Sequence, residues 1–133
     1  GNLWQGVPMY VAPSERATYP LFWQLIYDPA LWQLDSNNNL IYHAAPSCWM
    51  RASGGKGIPP DLSHEDITLN YAGGTYTGVL VKRGDMPISA TYCGPVKDTV
   101  TCFDVNFDED PDRCRQAAEQ VLRTITEVPR PTP

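Results

Sequence analysis

Apolar and polar positions alternate with period two over most of this chain, and only near its end do they shift to the helical period. Ile88, Ala90 and Tyr92 lie on one face of one such run, and Phe103, Val105 and Phe107 on one face of another. Pairing the two antiparallel, with Cys93 opposite Cys102, sets Tyr92 against Phe103, Ala90 against Val105 and Ile88 against Phe107. A slip of one residue would turn every one of these side chains to the wrong face, so the pattern specifies its own register. Further strands are expected over 21–27, 31–34, 40–44 and 47–52, and then over 67–71 and 75–82 around a Gly73-Gly74 turn. Residues 53–66, with Gly54, Gly55, Gly57, Pro59 and Pro60, read as a loop.

The helical period appears after Asp110-Pro111, which supply an N-cap and a first-turn proline. Cys114, Ala117, Ala118, Val121, Leu122 and Ile125 then form an apolar stripe about four turns long. The expected fold is therefore α+β: a mostly antiparallel sheet of about six strands, with this amphipathic C-terminal helix packed on one face. Residues 1–20, with Pro8, Pro13 and Pro20 and little periodicity, read as an N-terminal arm or linker. The single domain spans 21–128, and 129–133 is a Pro-rich tail. Trp4, Met9 and Tyr10 are unusual in a free linker, and one reading has this aromatic arm dock on a neighbouring copy or assembly.

The four cysteines, at 48, 93, 102 and 114, include no C-x-x-C pair and have no pair of histidines beside them, which disfavours zinc. The strand register favours a Cys93–Cys102 disulfide, and Cys48–Cys114 is then the remaining pair. In the chain-entropy picture the longer bridge stabilises by ~4 kcal/mol and the hairpin bridge by ~3 kcal/mol. Disulfides place the chain in an oxidising setting: secreted, periplasmic or elsewhere in the cell envelope. Gly1 reads as a processed terminus, with room in the precursor for a removed targeting segment or a lipid anchor. No apolar run is long enough to span a bilayer. A net charge of −5 over 133 residues argues against nucleic acid and anionic membrane as partners.

The segment from Phe22 to Trp32, with Tyr27-Asp28-Pro29 and then Trp32, resembles the opening of the PsbP/Mog1-like families. There an early strand runs into a Y-x-P-x-x-W turn, and a meander and a C-terminal helix close the domain. The order of elements over 21–128, about four-fifths of the chain, is similar. Small domains of bacterial lipoproteins look alike in this respect, some with one cysteine in an early strand and another opening the last helix, as Cys48 and Cys114 would be. The resemblance implies binding to a protein partner or peptide, and it carries over no catalytic residue and no cofactor.

Candidate chemistry is sparse. The run Asp104, Asn106, Asp108 begins like a calcium loop, but Glu109 and Arg115 stand where an EF-hand needs Gly and Glu, and a solvated strand leading into a helix cap explains the same residues. Arg83-Gly84-Asp85 is the tripeptide that integrins read, and is also ordinary hairpin-turn chemistry. Ser53 to Gly57 lacks the spacing of a phosphate loop. His64 with Ser63 and Asp66 are sequence neighbours and do not make a spatial triad. The carboxylates Glu65 and Asp66, or the row from Asp104 to Asp112, suit a small hydrolase using paired acids. The aromatic residues first of all supply core volume, and the functional reading beside that is a binding surface of Trp49, Arg51, Tyr42 and His43, because aromatic and Arg side chains dominate interface energetics. The expectation is thus a non-catalytic extracytoplasmic binding module, a monomer or weak oligomer.

Overall fold

A computed structural model of the chain describes residues 1–8, 10–53, 57–96 and 99–130. These residues form ten strands, one short 3-10 turn (Pro13–Glu15) and one α-helix. The strands are β1 (Asn2–Gly6), β2 (Leu21–Tyr27), β3 (Trp32–Leu34), β4 (Leu40–Tyr42), β5 (Trp49–Ser53), β6 (Ser63–Tyr71), β7 (Gly74–Arg83), β8 (Met86–Val96), β9 (Thr99–Asn106) and β10 (Thr126–Pro129). The helix α1 covers Pro111–Leu122, between β9 and β10.

The expectation of one sheet of about six strands under a helix is corrected. There are two antiparallel sheets, one of three strands in the order β1-β2-β10, and one of seven in the order β3-β4-β5-β9-β8-β7-β6. The difference lies at the chain ends. Part of the segment set apart as an arm is β1, which pairs along β2 from Asn2↔Tyr27 to Gly6↔Trp23. Residues beyond the helix form β10, on the other edge of β2. Both strands are short, and each finds its partner far away in sequence, so local alternation carries little trace of them. The helix is also shorter than its apolar stripe. It ends at Leu122, and the stripe's last residue, the buried Ile125, lies in the turn that leads to β10.

The central hairpin follows the predicted register, with Tyr92↔Phe103, Ala90↔Val105 and Cys93↔Cys102, and the Phe107 amide donates to the Ile88 carbonyl. Trp4, Trp23, Phe103, Tyr76, Tyr92 and Met50 are fully buried in one core that joins both sheets and α1. Trp4 and Trp23, from the small sheet, stand 5.5 and 5.2 Å from the Phe103 ring of the large one. Trp23 meets Phe103 edge to face and Trp4 meets it at a tilt, and such ring pairs add to the area that the rings bury.

The buried face of α1 carries Cys114, Ala117, Ala118, Val121 and Leu122. The helix begins where expected, with the Asp110 side chain accepting from the Arg113 amide and Pro111 in the first turn. Three links hold it to the large sheet: the Cys48–Cys114 disulfide, the Tyr76 hydroxyl donating to the Leu122 carbonyl at 2.7 Å, and the Tyr92 hydroxyl donating to Glu119 at 2.6 Å. Gly78 is required where β7 and β8 approach, since a Cβ there would strike the Thr91 carbonyl oxygen.

Candidate binding cleft

One face of the seven-stranded sheet turns inward to the core, and side chains on the other face follow from the same register. Trp49, Asn106, Ser89 and Val81 form one cross-strand row on that outer face. Arg51, Asp104, Thr91 and Val79 form the next. Ser53, Cys102, Cys93 and Thr77 form the third. Gly57, Ile58, Pro59 and Leu62, with the whole first row, Asp104, Thr91 and Val79 of the second and Cys93 of the third, line a cleft of about 460 Å³. That is within the range of small-molecule sites.

The β7 side and the loop give the cleft apolar walls through Val79, Val81, Ile58 and Leu62. The β8 and β9 side contributes Ser89, Thr91, Asp104 and Asn106. Asp104 is only 4% exposed. Its Oδ1 accepts from the Thr91 hydroxyl at 2.7 Å, and its Oδ2 faces the Arg51 Nε at 3.4 Å. Arg51 is half-exposed, and its guanidinium lies 5.4 Å from the centre of the Trp49 ring. The Trp49–Arg51–Asp104 constellation therefore couples an aromatic plane, a cation and a buried anion, of which Trp49 and Asp104 line the groove.

No family model, curated protein or solved structure matches this chain. Nothing in these comparisons identifies a PsbP/Mog1-like domain, so the site has to be read from its own geometry.

Of the four aromatic-surface residues, the fold brings Trp49 and Arg51 together and separates Tyr42 and His43 from them. Ile41 pairs with Trp49, so Tyr42, one residue on, points to the opposite, core face. There it is buried against Trp32, with ring centres 5.0 Å apart, and lies beneath Arg113. His43 is exposed, and its Nε2 lies 3.1 Å from the Pro29 carbonyl oxygen. It borders a shallow depression with Asn2, Tyr27 and Trp32, away from the cleft.

The calcium candidates are likewise dispersed. Asp104 is held by Thr91 and Arg51, the Asn106 amide donates to the Ser47 carbonyl, and Asp108 pairs with Arg113 at 2.6 Å. Among the described residues one group gathers metal-type donors, namely Cys48, Cys114 and Asp108. Both sulfurs there are joined in a disulfide, so neither is a thiolate ligand.

Glu65 and Asp66 are adjacent in β6 and point to opposite faces, and Glu65 pairs with Lys82 at 3.3 Å. Among the described residues that line the cleft, Asp104 is the one carboxylate. Ser63 lies on the face of β6 opposite His64 and Asp66, which keeps the three from converging as a triad. Arg83-Gly84-Asp85 occupies the exposed β7–β8 hairpin tip, where Gly84 has φ 61° and serves the turn. Trp4 is fully buried in its own core and Tyr10 is exposed, while Met9 lies outside the described residues. Gly54, Gly55 and Lys56 of the glycine-rich loop, and residues 131–133 of the tail, also lie outside them.

The sequence pattern points to Asp104 only as a calcium or hydrolase candidate and does not single out Val79, Val81 or Thr91, which line the cleft with it. A signal was present: the register that buries Ala90 and Tyr92 necessarily gathers Ser89, Thr91, Asp104 and Asn106 on the other side.

Both predicted disulfides are present, Cys48–Cys114 and Cys93–Cys102, and no cysteine is free. They fit an oxidising compartment. Among the described residues, no helix is long and apolar enough to cross a membrane.

Proposed function

We propose that this chain is a non-catalytic binding module of an oxidising, extracytoplasmic compartment, and that its ligand sits in the cleft on the outer face of the seven-stranded sheet. The carrying observation is the combination of apolar walls with one buried carboxylate, Asp104, that has a single partner on each oxygen. A mostly apolar cleft with a few converging polar groups is the usual form of a ligand site. Ligand bodies would lie against Val79, Val81 and Ile58, with Trp49 closing one end. Paired-acid hydrolysis needs two carboxyl groups facing one substrate, and the described lining offers Asp104 alone. Extracytoplasmic placement is supported by the two disulfides.

A ligand-observed fragment screen tests the reading, with a cleft-filling variant, Ser89→Trp, as the control. Fragments that bind the wild-type chain are expected to lose binding to the folded variant. Fragments that bind both equally, or a screen with no binder, would reject the cleft as the seat.

A further inference from the structure

We infer that the cleft selects a ligand carrying an ammonium group on an apolar body, with Asp104 as its counter-ion; this rests on the cleft being the ligand seat. The reason is an imbalance around one side chain. A carboxylate can accept about four hydrogen bonds. Asp104 accepts one short bond, from Thr91, and makes one long, single-pronged contact with the Arg51 Nε. No other described cation reaches it. Arg51 is shared with the Trp49 face and is 40% exposed, so much of its charge is spent on solvent. The carboxylate itself is nearly sealed, with a side chain only 5% exposed. A buried anion so placed is stabilised by any donor that reaches it, and most by a cationic one.

The surroundings define the rest of the ligand. Along the same cross-strand row, Val79 lies beyond Thr91, and the loop residues Ile58 and Leu62 close over that side. An ammonium at Asp104 therefore has its body directed along apolar walls. Ser89 and Asn106, from the neighbouring row, offer oxygen atoms for the remaining ammonium protons. A carboxylate-bearing ligand would instead meet Asp104 as a like charge in a site of low dielectric.

The test is a titration followed by the backbone amide signals of Thr91, Asp104 and Asn106, using phenethylammonium, 2-phenylethanol and 3-phenylpropionate as probes of matched shape. Phenethylammonium is expected to bind about tenfold more tightly than the alcohol, the size of one charge-assisted hydrogen bond, with the carboxylate weakest. Asp104→Asn should bring amine and alcohol to equal affinity. An alcohol or carboxylate that binds as well as the amine would overturn the inference and leave the cleft standing. If no probe moves these signals, the cleft reading fails with it.

Should Asp104→Asn not fold, Arg51→Met keeps the question open to decision. Removing the competing guanidinium is expected to tighten amine binding several-fold and leave the alcohol unchanged; unchanged or weaker amine binding would overturn the inference. A free amine and the N-terminus of a peptide share this chemistry, and Phe-Leu-amide run beside phenethylammonium separates them. A tighter dipeptide assigns a peptide N-terminus, and a tighter amine assigns a small molecule.

Discussion

The Tyr92 hydroxyl donates to Glu119 Oε2 at 2.6 Å, which ties the middle of β8 to the helix across the core. Burial pushes the Tyr92 hydroxyl's pKa well above its ordinary value, and the bond to Glu119 and the charge of that carboxylate push it further. Burial does the same for Tyr76, reinforced by the charge of Tyr71. Both groups are therefore neutral in the folded chain at a pH where the unfolded chain would have ionised them. Their contribution to stability is complete below pH about 10, the ordinary tyrosine value, and falls as pH rises above it. Urea unfolding at pH 8, 10 and 11.5 is expected to show a small loss from this source, about 0.4 kcal/mol per tyrosine, between the first two and a several-fold larger one at the third. Tyr92→Phe should cost about 1–3 kcal/mol at pH 8 and flatten part of the alkaline decline.

The two disulfides should differ in weight. Cys48–Cys114 spans 66 residues and holds α1 to the large sheet, whereas Cys93–Cys102 joins neighbours already paired in a hairpin. Replacing the first pair by alanine should cost about 4 kcal/mol, and the second about 3 kcal/mol or less, on loop closure alone. Guanidinium unfolding of the two double variants gives the comparison, and equal costs would show that loop length does not govern them.

Trp4 is fully buried, and its indole N–H donates to the Asn38 carbonyl at 3.0 Å. Trp4→Ala should therefore destabilise by about 3–5 kcal/mol, as truncations of large core aromatics do. A dispensable arm would tolerate the change, so a thermal melt that barely moves would restore the arm reading.

The Thr101 hydroxyl is buried with no hydrogen-bond partner among the described residues. Thr101→Val keeps the shape and removes the unmet polar group, so it should leave stability unchanged or raise it by up to about 2 kcal/mol. Chemical denaturation checks the sign, and a clear loss would mean that the hydroxyl is satisfied after all.

How far the fold could be read from sequence depends on the range of the contacts. The β8–β9 register was legible because alternation and the cysteine pair gave the same answer within about twenty residues. The start of the helix was legible because Asp110 and Pro111 act locally. The small sheet was not, because Trp4 meets Leu25, and Glu127 meets Trp23, only after the chain has folded back on itself. A Pro-rich neighbourhood also made residues 1–20 look like a linker. At the site, Trp49 and Arg51 are two residues apart on one strand and so share a face by local geometry alone. Tyr42 was grouped with them by composition, and the parity of β4 and β5 places it on the other side. The loop around Ile58 and Leu62 lies over the sheet by tertiary packing, which no short-range pattern encodes.

The most direct measurement is a map of amide chemical-shift changes over the whole chain on adding a mixed fragment library that contains amines, alcohols and acids. The account predicts changes confined to the outer-face rows of β7, β8 and β9, strongest at Val79, Thr91 and Asp104, and driven by the amine-bearing fragments. Changes centred on the depression beside His43, or on the small sheet where Leu3 and Ile26 pair and are both exposed, would contradict it.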